Sequence, residues 1–236
     1  MKRSEINAII READAFLKAH QFHLPPFAYW SPATWAEKGP EVERIVARRL
    51  GWDMTDFGSG DFASVGLSNF TLRNGSIDDL AKGRGELYCE KVLIVGVNQK
   101  TPLHFHWNKT EDIINRGGGT LVIQLYNATE DENLTDDAVT VYTDGIRRQV
   151  PAGGVIRLEV GESITLRPYC YHIFWAEGEP VLAGEVSLVN DDQRDNRFYE
   201  APGRFPAIEE DEPPLYLMVT DYERYYRPGR AAREQS

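Results

Sequence analysis

The chain has 236 residues, 42% apolar and 27% charged, with a formal net charge of −11. This is the make-up of an ordinary globular protein, at a length that single all-β domains often reach. The acidic balance argues against a nucleic-acid binder or a partner of anionic membranes, and two cysteines, Cys89 and Cys170, cannot build a disulfide framework.

The N-terminus carries Lys2, Arg3, Glu5, Arg11, Glu12 and Asp14 and lacks the uninterrupted apolar core of a secretory signal. The longest apolar stretch, around Val92 to Val97, is too short to span a bilayer, so a cytoplasmic location is expected. Ser4 is a candidate helix N-cap, followed by Ile6, Ile9, Ile10, Ala13, Phe16 and Leu17 at helical spacing, and the helix is expected to end near His20. His20 and His23 have no acidic or cysteine partner beside them and read as surface residues. Pro25-Pro26 breaks the chain. A short helix is predicted after Ser31-Pro32, and another over Glu41–Leu50 that Gly51 stops.

From Phe57 the pattern changes to strands and glycine-marked turns. Strands are predicted at Phe62–Leu72, Glu86–Val97, Thr120–Asn127, Val139–Tyr142, Ile146–Val150, Val155–Val160, Ser163–Pro168, Val181–Val189 and Leu215–Val219. Asn74-Gly75, Arg116–Gly119 and Asp144-Gly145 are read as turns, and Asn190–Phe198 as a polar loop. The expected architecture is mainly β, an antiparallel sandwich or barrel. Residues 1–56 form a helical segment packed on it, 57–223 the β domain and 224–236 a fraying tail, one domain in all.

Two of the five histidines lie one residue apart, His104 and His106, and on a strand such a pair projects to one face. Neutral imidazole is the commonest ligand of a first-row divalent metal, and a carboxylate suits the same ion. Glu111 has the wrong parity for the same strand, so a turn near Asn108-Lys109 must bring it back on the next one. His172, after the strand ending at Pro168, supplies a fourth ligand. Manganese, iron, cobalt, nickel and zinc all accept such a set.

The run His-x-His-x4-Glu-x6-Gly, His104 to Gly118, resembles the first motif of the cupin superfamily, a jelly-roll barrel with a metal inside. Gly161 to His172 is similar to the second, departing from it at Cys170, which stands where that motif has a glycine. Further segments cover nearly the whole chain: residues 104–112, 184–192, Asp195-Asn196-Arg197-Phe198 and 203–213. Together they resemble the D-lyxose ketol-isomerase family. That resemblance implies a manganese-dependent cupin, with cobalt an alternative metal, that interconverts D-lyxose with D-xylulose and often D-mannose with D-fructose. It further implies a homodimer. Two rival readings keep the same ligands: an iron-dependent cupin dioxygenase and a non-catalytic sugar-binding cupin.

Moving a proton between C2 and C1 of a sugar needs one base that serves both carbons. Glu111 is a candidate through an oxygen free of the metal. Glu185, the single charge within Val181–Val189, is a second if strand alternation turns it inward with Ser187. Lys109 lies between the ligands, where a nearby metal would lower its pKa and fit it for proton transfer. Trp107 is a candidate for stacking on the sugar; Asp191, Asp192 and Arg197 resemble family positions, with Arg197 either holding a sugar hydroxyl or pairing with Asp195 on the surface.

Overall fold

The computed structural model describes residues 1–201 and 208–227. Its strands are β1 (Gly51–Thr55), β2 (Leu67–Asn74), β3 (Tyr88–Val95), β4 (His104–Phe105), β5 (Glu111–Asn127), β6 (Val139–Thr143), β7 (Ile146–Val150), β8 (Val155–Leu158), β9 (Ser163–Leu166), β10 (Cys170–Leu188) and β11 (Arg197–Phe198). They join one sheet in the order β1-β2-β3-β10-β5-β9-β6-β7, with β4 on β10 and β11, and β8 on β5. The architecture is mainly β and antiparallel, as expected. The path ends at β1 and β7, so hydrogen bonds do not close the sheet into a complete barrel.

Two strands of unusual length make the sheet fold over. Register pairs Glu111 of β5 with Ser187 of β10 at one end and Leu125 with His172 at the other. In straight strands these ends would stand ~45 Å apart. Yet Glu111 Oε1 lies 3.1 Å from His172 Nε2. The strands therefore bend, and the register shifts at Glu177/Val181 and Leu182/Ala183 mark the place. Arg116–Gly119, expected as a turn between strands, is instead that bend within β5. Gly118 takes φ +94°, and a Cβ there would collide with the Pro180 carbonyl.

Alternation then sorts the side chains. The concave face buries Leu93, Val95, Ile113, Leu121, Ile123, Leu125, Phe174, Ala176, Val181 and Ala183. The other face of β1, β2, β3 and β10 presents Trp52, Met54, Phe70, Val92 and Leu182 to Ile6, Ile10, Ala13 and Leu17 of α1 (Arg3–Ala19). Each of the larger α1 side chains is worth roughly 1.5–3 kcal/mol in burial. The helix starts at Arg3, one residue before the expected cap; Ser4 sits in its first turn and donates its hydroxyl to Asp211 (2.6 Å).

Other elements differ from the expectation for local reasons. The short helix α2 spans Pro32–Ala36 behind its Ser31 cap. Of Glu41–Leu50 only α3 (Glu43–Ala47) is α-helical, because Arg49 takes a left-handed conformation (φ 52°) before Gly51 opens β1. The sheet thus begins inside the stretch read as helical. After Asn74-Gly75 comes α4 (Ile77–Ala81), capped by Ser76. Leu215–Val219 forms no strand, only a single bridge from Met218 to Trp52. At the other end, α5 (Tyr222–Tyr225) leads to buried Tyr226, whose hydroxyl donates to Gly39, so the tail is packed at least to that point; residues 228–236 lie outside the described ones. Among the described residues no helix is long and apolar enough to cross a membrane.

Candidate metal centre and active site

β4 is two residues long, yet it fixes the site. Its His104 pairs in register with His172 of β10, and their ring centroids lie 4.2 Å apart. His106 follows on the same face, the chain turns through Trp107–Thr110, and Glu111 opens β5. Phe105, between the two histidines, faces the other way and packs on Tyr169, Tyr171 and Trp107. The ligand nitrogens of His104, His106 and His172 lie within 4.8 Å of one another.

Which nitrogen of each ring carries the proton follows from its partner. His104 Nδ1 lies 2.8 Å from the Pro102 carbonyl, His106 Nδ1 2.7 Å from that of Asp195, and His172 Nδ1 3.0 Å from that of Cys170. A carbonyl oxygen only accepts, so every Nδ1 donates and every neutral ring keeps a lone pair on Nε2. Burial first, and then the two neighbouring imidazoles, push His104 well below the usual histidine range, so that ring is neutral.

Glu111 Oε1 enters the same space, 3.4 Å from His106 Nε2 and 3.1 Å from His172 Nε2. Burial works against the charge of Glu111, but Lys109 and His106 hold its carboxyl well below the usual carboxylate range. Three lone pairs and one carboxylate oxygen thus converge, a donor set that fits a divalent cation. The thiol of Cys170 is pushed up to about 12 by burial, with Glu111 adding to it, which makes it packing rather than a thiolate ligand.

Beyond the ligands, charges alternate in sign. Lys109 Nζ is 2.8 Å from Glu111 Oε2 and donates to Glu185 Oε1 at 2.9 Å and Asn190 Oδ1 at 3.2 Å. Lys91 Nζ stands 3.6 Å from the same Glu185 oxygen and 3.6 Å from Asp192 Oδ1. Residues 190–196 strap this arrangement. The Asp195 carboxylate accepts the backbone N–H groups of Asn108 and Lys109, both at 2.9 Å, while its carbonyl holds His106. All of these side chains except Asn190 and Asp195 line one cavity, whose walls include Phe57, Leu67, Leu93, Phe174 and Phe198.

The sequence model of the D-lyxose isomerase family matches residues 1–222. A D-lyxose/D-mannose isomerase of Serratia proteamaculans is 48% identical over 229 residues, covering 95% of this chain and 99% of its own. One from Escherichia coli O157:H7 is 47% identical over 230 residues, covering 95% and 100%. This chain belongs to the D-lyxose isomerase family. Among solved structures, the L-ribose isomerase of Cellulomonas parahominis in complex with L-ribose superposes with a TM-score of 0.58 at 18% identity, over 89% of this chain and 98% of that one. The L-ribose isomerase of Geodermatophilus obscurus gives 0.56 at 17% identity over the same shares. These last two likenesses concern the fold.

Within this member of the family, the expected metal set His104, His106, Glu111 and His172 comes together, and Glu185 points inward, buried beside it. Lys109 meets the site with the opposite pKa shift from the one expected. Burial works against its charge, but Glu111, Glu185 and Asp192 outweigh burial and raise it above the ordinary lysine range.

The expected sugar contacts do not reach the cavity. Trp107 shares the parity of Phe105, not of the histidines, and its indole N–H donates to Glu132 at 2.7 Å. Arg197 donates to the other oxygen of Glu132 at 2.6 Å, on the same far side. Asp191 caps the turn after it, accepting the backbone N–H groups of Gln193 and Arg194. Its neighbour Asp192 is the one that lines the cavity. His20 and His23 stand apart from the metal set; His20 Nδ1 donates to the Phe16 carbonyl.

Sequence reasoning missed Lys91 and Asp195. Lys91 was within reach, because it shares parity with Leu93 and Val95 on β3, the argument that placed Glu185. Asp195 gives no such signal. It meets Asn108 and Lys109 across 87 and 86 residues of chain, through a loop with no periodicity.

Proposed function

We propose that this sugar isomerase interconverts D-lyxose with D-xylulose and D-mannose with D-fructose, with manganese(II) as its cation and cobalt(II) as a substitute. The convergence of three Nε2 lone pairs and one Glu111 oxygen beside a buried, inward Glu185 carries the proposal. A divalent cation bound there polarises the sugar carbonyl and offsets negative charge developing on O1 and O2.

The remaining chemistry falls to the side chains. In the aldose-to-ketose direction the proton on C2 moves to C1, and the O2 hydroxyl proton moves to O1. Glu185 is the base for the carbon-bound proton: one of its oxygens takes the contacts from Lys109 and Lys91, and the other takes neither. Glu111 is less suited, since its second oxygen is engaged by Lys109 at 2.8 Å. Lys109 is a fixed ammonium that orients both carboxylates. The phenylalanine walls keep bulk water from the exchanging proton. A homodimer in the cytoplasm completes the reading; the buried free thiols of Cys89 and Cys170 suit a reducing compartment.

The test is to strip the protein of metal, add D-lyxose or D-mannose, and follow ketose formation as manganese(II) is restored. Ketose formation from both sugars supports the assignment. Absence of ketose with every divalent cation tried overturns it; oxygen uptake with iron, or sugar binding without turnover, would install one of the two rivals.

A further inference from the structure

The turn from His106 to Glu111 carries Lys109, yet its own backbone does not brace it. Among the described residues, neither Asn108 nor Lys109 donates its N–H to a backbone carbonyl. Both are met from a distant loop. Asp195 Oδ1 accepts the Asn108 N–H at 2.9 Å and the Asn108 side-chain amide at 3.1 Å, and Oδ2 accepts the Lys109 N–H at 2.9 Å. The carbonyl of the same residue accepts from His106 Nδ1 at 2.7 Å. One residue thus grips three consecutive residues of the turn, a metal ligand among them.

The loop that presents Asp195 is itself anchored at both ends. Asn190 exchanges two hydrogen bonds with Asn74 of β2, at 3.0 and 2.9 Å. The Asp195 N–H donates to the Asp191 carbonyl at 2.9 Å, and two residues later Arg197 enters β11, in register with Phe105 of β4. Burial of a carboxylate is costly unless donors meet it, and the Asp195 side chain is buried against three N–H donors.

We infer that Asp195 is a positioning residue of the isomerase reaction. Its carboxylate sets the backbone at Lys109, and through it the ammonium that orients Glu111 and Glu185, while its carbonyl sets the His106 ring. The assignment rests on the isomerase reading and adds to it the group that aligns base and metal ligand with each other. The carboxylate itself is needed, because two backbone N–H groups point at two different oxygens. An amide in its place offers one oxygen and turns an NH2 toward the other N–H, leaving a buried donor unmet and pushing the turn aside. Displacement of a catalytic group by about 1 Å can cost 10²-fold in rate.

The test compares the full chain as wild type, Asp195→Asn and Arg3→Met. Four quantities are read: Tm, the Kd of manganese(II), kcat and KM for D-lyxose at saturating manganese(II), and the absorption spectrum of the cobalt(II)-loaded protein. In Asp195→Asn, kcat should fall and the manganese(II) Kd should rise, each about 10- to 100-fold, the range for a group that holds a metal ligand in place. KM should stay within about threefold, the pattern of an interaction expressed in the transition state. The cobalt(II) bands should shift, since the His106 ring has moved. A purely architectural role predicts instead the behaviour of Arg3→Met, a lower Tm with kcat, manganese(II) Kd and cobalt(II) spectrum unchanged. That pattern in Asp195→Asn overturns the assignment. So does a rise in KM alone, which would make Asp195 a group that only binds sugar. If Asp195→Asn does not fold, Asp195→Glu, which keeps both acceptor oxygens one methylene farther out, is judged by the same criteria. A wild-type protein that forms no ketose would fail the isomerase reading itself, while the manganese(II) Kd and the cobalt(II) spectrum would still report on Asp195.

Discussion

Two clusters of charge buried among the described residues differ in how their hydrogen bonds are completed. At the start of α1, fully buried Arg3 donates to both oxygens of Asp221, at 2.9 and 2.8 Å, and to both oxygens of Glu210, each at 2.9 Å. Four of the five guanidinium N–H groups are taken by the four carboxylate oxygens, and the cluster clamps the N-terminal helix to the C-terminal segment. In the concave face, Nε2 of three histidines and one oxygen of Glu111 converge on one small space. Among the described residues, the carboxylate oxygens nearest the Lys91 ammonium, on Glu185 and Asp192, stand 3.6 Å away. A closed cluster is cross-bracing. An open one offers a donor set that fits a cation, and the mismatch rather than the burial marks the site.

The largest effect should come from emptying the open cluster. His106→Ala is expected to lose bound metal and activity together, with turnover below about a thousandth of wild type. Retention of a full equivalent of metal would mean that His106 is not a ligand. Glu185→Gln separates the two losses: metal stays bound while kcat drops by roughly 10²–10⁴, the range for a general base. Full activity in that variant would remove Glu185 from the reaction.

The closed cluster should answer in stability alone. Arg3→Met leaves two carboxylates without their cation and is expected to cost about 3–5 kcal/mol in denaturant unfolding, with activity per folded molecule unchanged. A loss of activity at full folding would show that the two clusters are coupled. Acid supplies the smallest and most specific change. The hydrogen bond from Arg3 holds the Glu210 carboxyl below its ordinary value of 4.5. A depressed carboxylate contributes stability that is present above that value and is lost as pH falls through the lower folded one. The gap in Tm between wild type and Arg3→Met should therefore narrow on acidification below about pH 4.5; a constant gap would mean that Glu210 adds nothing.

The open cluster was largely legible in the sequence, because its ligands obey strand parity. His104 and His106 share a face by spacing, Glu111 needs a turn, and Glu185 is one charge in an apolar strand. Parity also shows why Trp107 does not line the cavity: next to His106, it must face away. The closed cluster was not legible. Arg3 meets Glu210 and Asp221 across 207 and 218 residues, and no local pattern marks a pairing so distant. The same holds for Asp195 on the histidine turn. In the fold, the glycines at 117–119 were visible, but whether they break a strand or bend it depends on the approach of Pro180 and Glu177. That is a fact about the neighbouring strand, absent from the local sequence.

The open cluster is expected to become an isomerase site when a divalent cation joins it. Metal-stripped protein titrated with manganese(II), with bound metal and ketose formation from D-lyxose followed in the same samples, addresses it directly. Activity should rise from near zero and level off at about one equivalent of bound cation per chain. Full turnover in the stripped protein, or a fully loaded protein that forms no ketose, would contradict it.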